Sequence, residues 1–189
     1  MKRGLLVVIS GPSGVGKDTI IQRLLSLDRN LRYSVSCTTR APRAGELPDV
    51  NYTFVTRERF QELIDANQFL EWANYAGNLY GTLRERVEQT RDSGRDIVLK
   101  IDVQGAEQVR QTEKDGVFIF VVPPTIEELE RRQMLRNSET EADRTSRRRI
   151  AELEMTFASH YDHVVVNDDV ERAVDEILGI IRGARERQT

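Results

Sequence analysis

The chain is poor in the residues that staple or metallate a fold. One cysteine, Cys37, occurs among 189 residues. That excludes an intrachain disulfide and a cysteine-based zinc site. Two histidines, His160 and His163, are too few for a histidine metal cluster. Positive charge is not in excess: 28 lysines and arginines face 31 acidic residues, for a net charge of -3. This argues against broad nucleic-acid binding, which needs a basic surface. Apolar runs such as LLVVIS are too short to span a membrane. LLVVIS leads straight into a glycine-rich loop, so it is expected to be a buried strand and not a signal peptide. There is no internal repeat and no low-complexity linker.

What is present is the balance of a soluble globular chain, 31% charged and 39% hydrophobic. The length suits one domain with a sizeable core. A cytoplasmic location is the default expectation, and monomer and homodimer both stay open.

Strand-like and helix-like runs alternate, which predicts an α/β fold around a parallel sheet. LLVVIS (Leu5 to Ser10), DIVLKID (Asp96 to Asp102), VFIFVV (Val117 to Val122) and HVVVN (His163 to Asn167) read as strands. Their continuous apolar character suits parallel strands covered on both faces. Lys17 to Leu27 carries Ile20, Ile21, Leu24 and Leu25 at helical spacing. Thr125-Ile126-Glu127-Glu128 is a capping box placed just after Pro123-Pro124. The last helix carries Val170, Ala173, Val174, Ile177, Leu178 and Ile181 on one face. Two stretches break the rhythm. Residues 34–82 are mixed and aromatic, with the alternation of antiparallel strands, and read as a small inserted domain. Residues 126–154 are dense in Arg and Glu and read as a helical lid. The core is then residues 1–33, 83–125 and 155–189.

Gly11-Pro12-Ser13-Gly14-Val15-Gly16-Lys17 fits the phosphate-loop pattern G-x-x-x-x-G-K, with a strand before it and a helix after it. Glycines let backbone N–H groups converge on phosphate oxygens, and the helix N-terminus adds positive charge. Lys17 is expected to reach the β and γ phosphates of a nucleotide. Asp18 stands where Ser or Thr usually holds Mg²⁺. It is expected to face the hydration shell of that ion or solvent, while Thr19 bonds an α-phosphate oxygen. A second cluster is SCTTRAPR, where Arg40 and Arg43 flank a proline and present forks suited to phosphate. Tyr52 and Tyr80 are candidate donors to the same anion. Glu71 is a carboxylate in the apolar stretch FLEW and needs a partner there.

GPSGVGK, SVSCTTRAPRAGE, FLEWANYAGNLYGT, KIDVQGA and VVVNDD occur in that order. Together they resemble the guanylate kinase family over nearly the whole chain, Leu5 to about Ile181. The resemblance implies a P-loop NTPase-type three-layer core, a GMP-binding insert and a lid. It implies Mg²⁺-dependent transfer of the ATP γ-phosphate to GMP, and more weakly dGMP, giving ADP and GDP. It places Ser36, Arg40, Arg43, Tyr52, Glu71, Tyr80 and Thr82 at the GMP. Guanine N1–H and its N2 amine are adjacent donors that one carboxylate accepts together, whereas adenine presents an acceptor at N1. An unpaired buried group costs roughly 1–3 kcal/mol, more when charged, so Glu71 discriminates. Arg132, Arg136 and Arg147 match lid arginines, Asn167 a contact on the ATP side, and Asp102 a carboxylate for water on Mg²⁺. Lys17, Arg40, Arg136 and Arg147 are the implied catalytic set.

The chain departs from the family in three places. Asn137 stands where a glycine is usual, and Arg147 to Arg149 form a triple. Lys100 stands where an acidic residue is common, two positions before Asp102 on one strand face, and pairing between the two is expected. The rival readings are a P-loop kinase for another acceptor and a guanylate-kinase-like module that binds protein partners without catalysis. Such modules damage the phosphate loop or the lid arginines, and Lys17, Arg40 and Arg136 are all present.

Overall fold

A parallel sheet of five strands organises the chain in a computed structural model. The structure describes residues 2–134 and 141–188, with the side chains of 141–147 excepted. The elements run β1 (Leu6–Ser10), α1 (Lys17–Leu27), β2 (Leu31–Tyr33), β3 (Cys37–Thr38), β4 (Thr53–Phe54) and α2 (Arg57–Asp65). Then come β5 (Phe69–Tyr75), β6 (Asn78–Leu83), α3 (Arg84–Asp92), β7 (Asp96–Lys100), α4 (Val103–Thr112) and β8 (Val117–Val122). The last are α5 (Ile126–Met134), α6 (Glu141–Thr156), β9 (His163–Val166) and α7 (Val170–Arg187). The large sheet has the order β2-β7-β1-β8-β9, and every neighbouring pair is parallel.

The period of two along β1 sorts its side chains onto two cores. Val7 and Ile9 pack with Ile20, Ile21 and Leu24 of α1 and with Val174, Ile177 and Ile181 of α7. Leu6 and Val8 pack with Val87 of α3 and with Ala106 and Val109 of α4. Helices on both faces make the three layers expected from the apolar runs. β2 is the unforeseen fifth strand. It is three residues long, too short to carry a pattern, and it pairs with β7 through Leu31↔Asp96 to Tyr33↔Val98.

Between β2 and α3 the chain builds a second, four-stranded sheet of order β4-β3-β6-β5. β5 and β6 form a hairpin whose turn, Ala76-Gly77, has φ of 49° and 80°. Two successive positive φ values match the twist of a tight hairpin. Cys37, Phe60, Leu63 and Phe69 form its own small core, with the Phe60 and Phe69 rings stacked at 4.5 Å. The capping expectation for α5 holds in its first half: Glu128 N donates to Thr125 Oγ1 at 3.1 Å. The Glu128 carboxylate instead pairs with Arg131 and Arg132. Leu129 of α5 and Ala151 of α6 are buried in the main core, which roots both helices on the sheet.

One buried cation ties the far end of the sheet. Arg91 is fully buried, donates to Gly4 O at 2.9 Å, and is paired with Glu113 at 2.7 Å and with Asp115.

Candidate active site

The loop between β1 and α1 is shaped by close approaches that only glycine permits. Gly11 has φ 144°, and a Cβ there would stand 2.2 Å from Val121 O of β8. Gly16 has φ 103°, and its Cβ would stand 2.5 Å from Asn167 Nδ2. Side chains from distant elements fasten the loop. Asn167 Nδ2 donates to Val15 O at 2.7 Å, and Gln133 Nε2 donates to Ser13 O at 2.6 Å. Arg132 Nη1 donates to Val15 O at 3.4 Å. Asn167 is buried, and its Oδ1 has no hydrogen-bond partner among the described residues. It braces the loop. Lys17 Nζ donates to Gly11 O at 2.5 Å and Pro12 O at 3.0 Å. Burial pulls the Lys17 ammonium below its ordinary pKa, and the charge of Glu154 opposes that.

A cleft of about 630 Å³ opens at the carboxyl ends of β1 and β7 and reaches the four-stranded sheet. Ligands of open α/β sheets bind at such strand ends. From the loop side it is lined by Gly11, Ser13, Gly14, Gly16, Lys17 and Asp18. From the insert side come Ser36, Arg40, Arg43, Tyr52, Glu71 and Tyr80, with Lys100 and Asp102 between. Thr19 is exposed on the first turn of α1 and does not line the cleft. Pro12, Val15, Arg132 and Asn167 serve as loop backbone or loop supports and are also outside its lining. Arg136 lies outside the described residues. Arg147 falls on α6, and its side chain lies outside the description as well.

Glu71 is the chemically distinctive group. It stands on β5 opposite Thr82 of β6 and is 4% exposed. Burial pushes its carboxyl up to about 7; the Thr82 hydroxyl and amide pull the other way, and Asp102 adds to the rise. Thr82 Oγ1 is itself buried with no hydrogen bond of good geometry among the described residues. Space for the carboxylate comes from α4. A Cβ at Gly105 would stand 2.3 Å from Glu71 Oε2. Gly105 N in turn donates to Asp102 Oδ1 at 2.8 Å, so Asp102 is the N-cap of α4.

The insert end of the cleft is cationic and aromatic. Arg40 Nη2 donates to both carboxylate oxygens of Glu46 at 2.8 and 3.0 Å, and the backbone N–H of Arg43 donates to Oε2 at 2.7 Å. The Arg40 guanidinium holds the Glu46 carboxyl below the usual range. The Tyr52 and Tyr80 rings meet edge-on at 5.9 Å. Lys100 departs from expectation. Its partner is Asp18, at 2.5 Å, and not Asp102. The rise of β7 toward the first turn of α1 brings together residues 82 apart, which strand spacing alone cannot register.

Sequence reasoning missed Glu46, Gln133 and Glu154. Glu154, on α6, is buried on the cleft wall, and burial pushes its carboxyl up against the pull of Lys17. Only Glu46 left a signal, as the carboxylate that closes TTRAPRAGE. Among the described residues no three His, Cys, Asp or Glu side chains gather to hold a metal ion.

The guanylate kinase family model matches residues 3–184. The chain is 50% identical over 180 residues to the guanylate kinase of Halalkalibacterium halodurans, covering 95% of this chain and 88% of that one. It is 49% identical over 181 residues to that of Bacillus subtilis, covering 95% and 89%. A crystal structure of guanylate kinase from Anaplasma phagocytophilum superposes with a TM-score of 0.81 at 37% identity, covering 96% and 86%. The fold is accordingly of the P-loop NTPase type, and the chain belongs to the guanylate kinase family.

Proposed function

We infer that this protein is an ATP:GMP phosphotransferase, moving the γ-phosphoryl group of ATP onto GMP to give ADP and GDP. The observation that carries the reading is a buried carboxylate, Glu71, in one cleft with the phosphate-loop lysine, Lys17. The carboxylate accepts from N1–H and N2–H of guanine, beside the Ser36 and Thr82 hydroxyls, which donate to O6. Arg40, Arg43, Tyr52 and Tyr80 hold the acceptor phosphate. The loop residues Gly11 to Lys17 bind the ATP phosphates, supported by Arg132 and Asn167, with Asp18 and Thr19 on the first helical turn. dGMP is a weaker acceptor in this reading, and an intact Lys17 and Arg40 speak for catalysis over a protein-binding module.

Little covalent help is needed for phosphoryl transfer, which rests on positioning and charge neutralisation. Lys17 neutralises charge on the β and γ phosphates. Arg40 holds the acceptor oxygen in line, and Arg136 and Arg147 belong to the same catalytic set by family resemblance. Mg²⁺ fits the donors available: such ions take one or two carboxylates plus substrate phosphates, with water completing the shell. Asp102 and Asp18, both on the cleft wall, would be those carboxylates, reaching the ion through its water shell. An ion held there would supply positive charge to offset that of the substrate phosphates. Residues 34–82 act as the GMP-binding insert and 126–154 as the lid, around a core of 1–33, 83–125 and 155–189. No helix among the described residues is long and apolar enough to cross a membrane. A cytoplasmic location, with no nucleic-acid partner, belongs to the same proposal. Calorimetric titration tests the guanine assignment: GMP should bind and AMP should not, and equal binding of the two would refute it.

A further inference from the structure

Two cations meet at Tyr52, and a carboxylate of the chain holds each of them. Arg40 Cζ lies 5.4 Å from the centre of the Tyr52 ring, and Lys100 Nζ lies 5.6 Å from it. Arg40 is bound to Glu46 at 2.8 and 3.0 Å, and Lys100 to Asp18 at 2.5 Å. All five residues line the same cleft. Arg40 and Tyr52 belong to the acceptor-phosphate contacts proposed above, whereas Lys100 has no role there.

The arrangement of the second pair is lopsided. The Lys100 side chain is 18% exposed and that of Asp18 is 63%. An ion pair with one partner open to water is weakly held. A phosphate monoester carries more charge than a carboxylate and three strong acceptor oxygens, and its charge-assisted bonds are the stronger ones. The lysine ammonium rides on a flexible four-carbon stem, so it changes partner by rotating about its own bonds. Asp18 also occupies the position where a hydroxyl residue is the rule. A hydroxyl would leave the Lys100 charge without a counter-ion on that side of the cleft.

We propose that Lys100 is a further acceptor-phosphate residue of this chain and that Asp18 is its resident counter-ion, displaced when the phosphate of GMP enters. The proposal rests on the GMP-kinase reading. Arg40 and Lys100, both beside the Tyr52 ring, then grip the phosphate together. The released Asp18 carboxylate stays on the loop side, where it was assigned to the water shell of Mg²⁺.

Titration calorimetry with GMP and with guanosine tests this without turnover, because the phosphate is the only difference between the ligands. Lys100→Met should weaken GMP binding by about 10- to 100-fold, the loss of one charge-assisted contact, and leave guanosine binding unchanged. Lys100→Arg should restore most of the loss. Asp18→Asn should bind GMP several-fold more tightly than the unaltered protein, again with guanosine unchanged. Unaltered GMP binding by Lys100→Met would overturn the proposal. So would equal losses for GMP and guanosine, the mark of a merely structural pair, or weaker GMP binding by Asp18→Asn. If the unaltered protein bound neither ligand, the GMP-kinase reading itself would fall, and the proposal with it.

Discussion

Replacing Glu71 by glutamine should stabilise the empty protein while removing its preference for guanine. The carboxyl is 4% exposed, and burial raises it from 4.5 to about 7. A rise of that size corresponds to about 3 kcal/mol of differential cost between the two protonation states. The folded protein therefore binds the Glu71 proton more tightly than the unfolded chain does. Stability falls as pH rises from about 4.5 to about 7, and the full penalty stands above that window. Glutamine cannot ionise and escapes the penalty. For a chain of this size, about 3 kcal/mol displaces Tm by roughly 6–12 °C, an upper bound because the site relaxes around a charge. The assay is a set of thermal melts of both proteins between pH 5 and pH 8.5. The variant should melt near the unaltered protein at pH 5 and well above it at pH 8. Glu154 also titrates, but it is present in both proteins and cancels in the difference. A difference that does not change with pH would refute the argument, whatever its sign. In transfer assays the same variant should lose discrimination, since an amide accepts from one guanine donor but presents an N–H to the other.

Three further outcomes follow from the geometry. Gly105→Ala should raise KM for GMP by at least about tenfold, because a Cβ there stands 2.3 Å from Glu71 Oε2 and displaced groups cost heavily in rate and affinity; KM for ATP should hardly change, and a matching rise for both substrates would count against a local effect. Lys17→Met should lower the transfer rate by roughly 10²–10³ with the circular dichroism spectrum preserved; retained activity would remove Lys17 from the reaction. Arg91→Ala leaves Glu113 without its buried partner and should cost about 3–5 kcal/mol, read as a lowered denaturant midpoint; an unchanged midpoint would contradict that estimate.

The sheet was legible because its strands are buried on both faces. β1, β7, β8 and β9 needed only their apolar runs to be found, and α1 and α7 only their helical stripes. β2 escaped because three residues flanked by polar groups hold no period. At the site, the loop from Gly11 to Lys17 and the pair Arg40 and Glu71 announce their chemistry by type and setting. The supports do not. Gln133 reaches Ser13 across 120 residues of chain, and Asn167 reaches Val15 across 152. Asn167 was expected at the nucleotide and is found under the loop that would hold it. The partner of Lys100 escapes for the same reason: spacing along a strand offers Asp102, while the packing of α1 beside β7 delivers Asp18.

The central claim is that this cleft transfers phosphate to guanine nucleotides. It is tested most directly by ADP release from ATP and Mg²⁺ in the presence of GMP, dGMP, AMP, CMP or UMP. GMP should be turned over far faster than AMP, CMP and UMP, with dGMP second. Equal turnover of AMP and GMP, or none of any acceptor, would contradict the account.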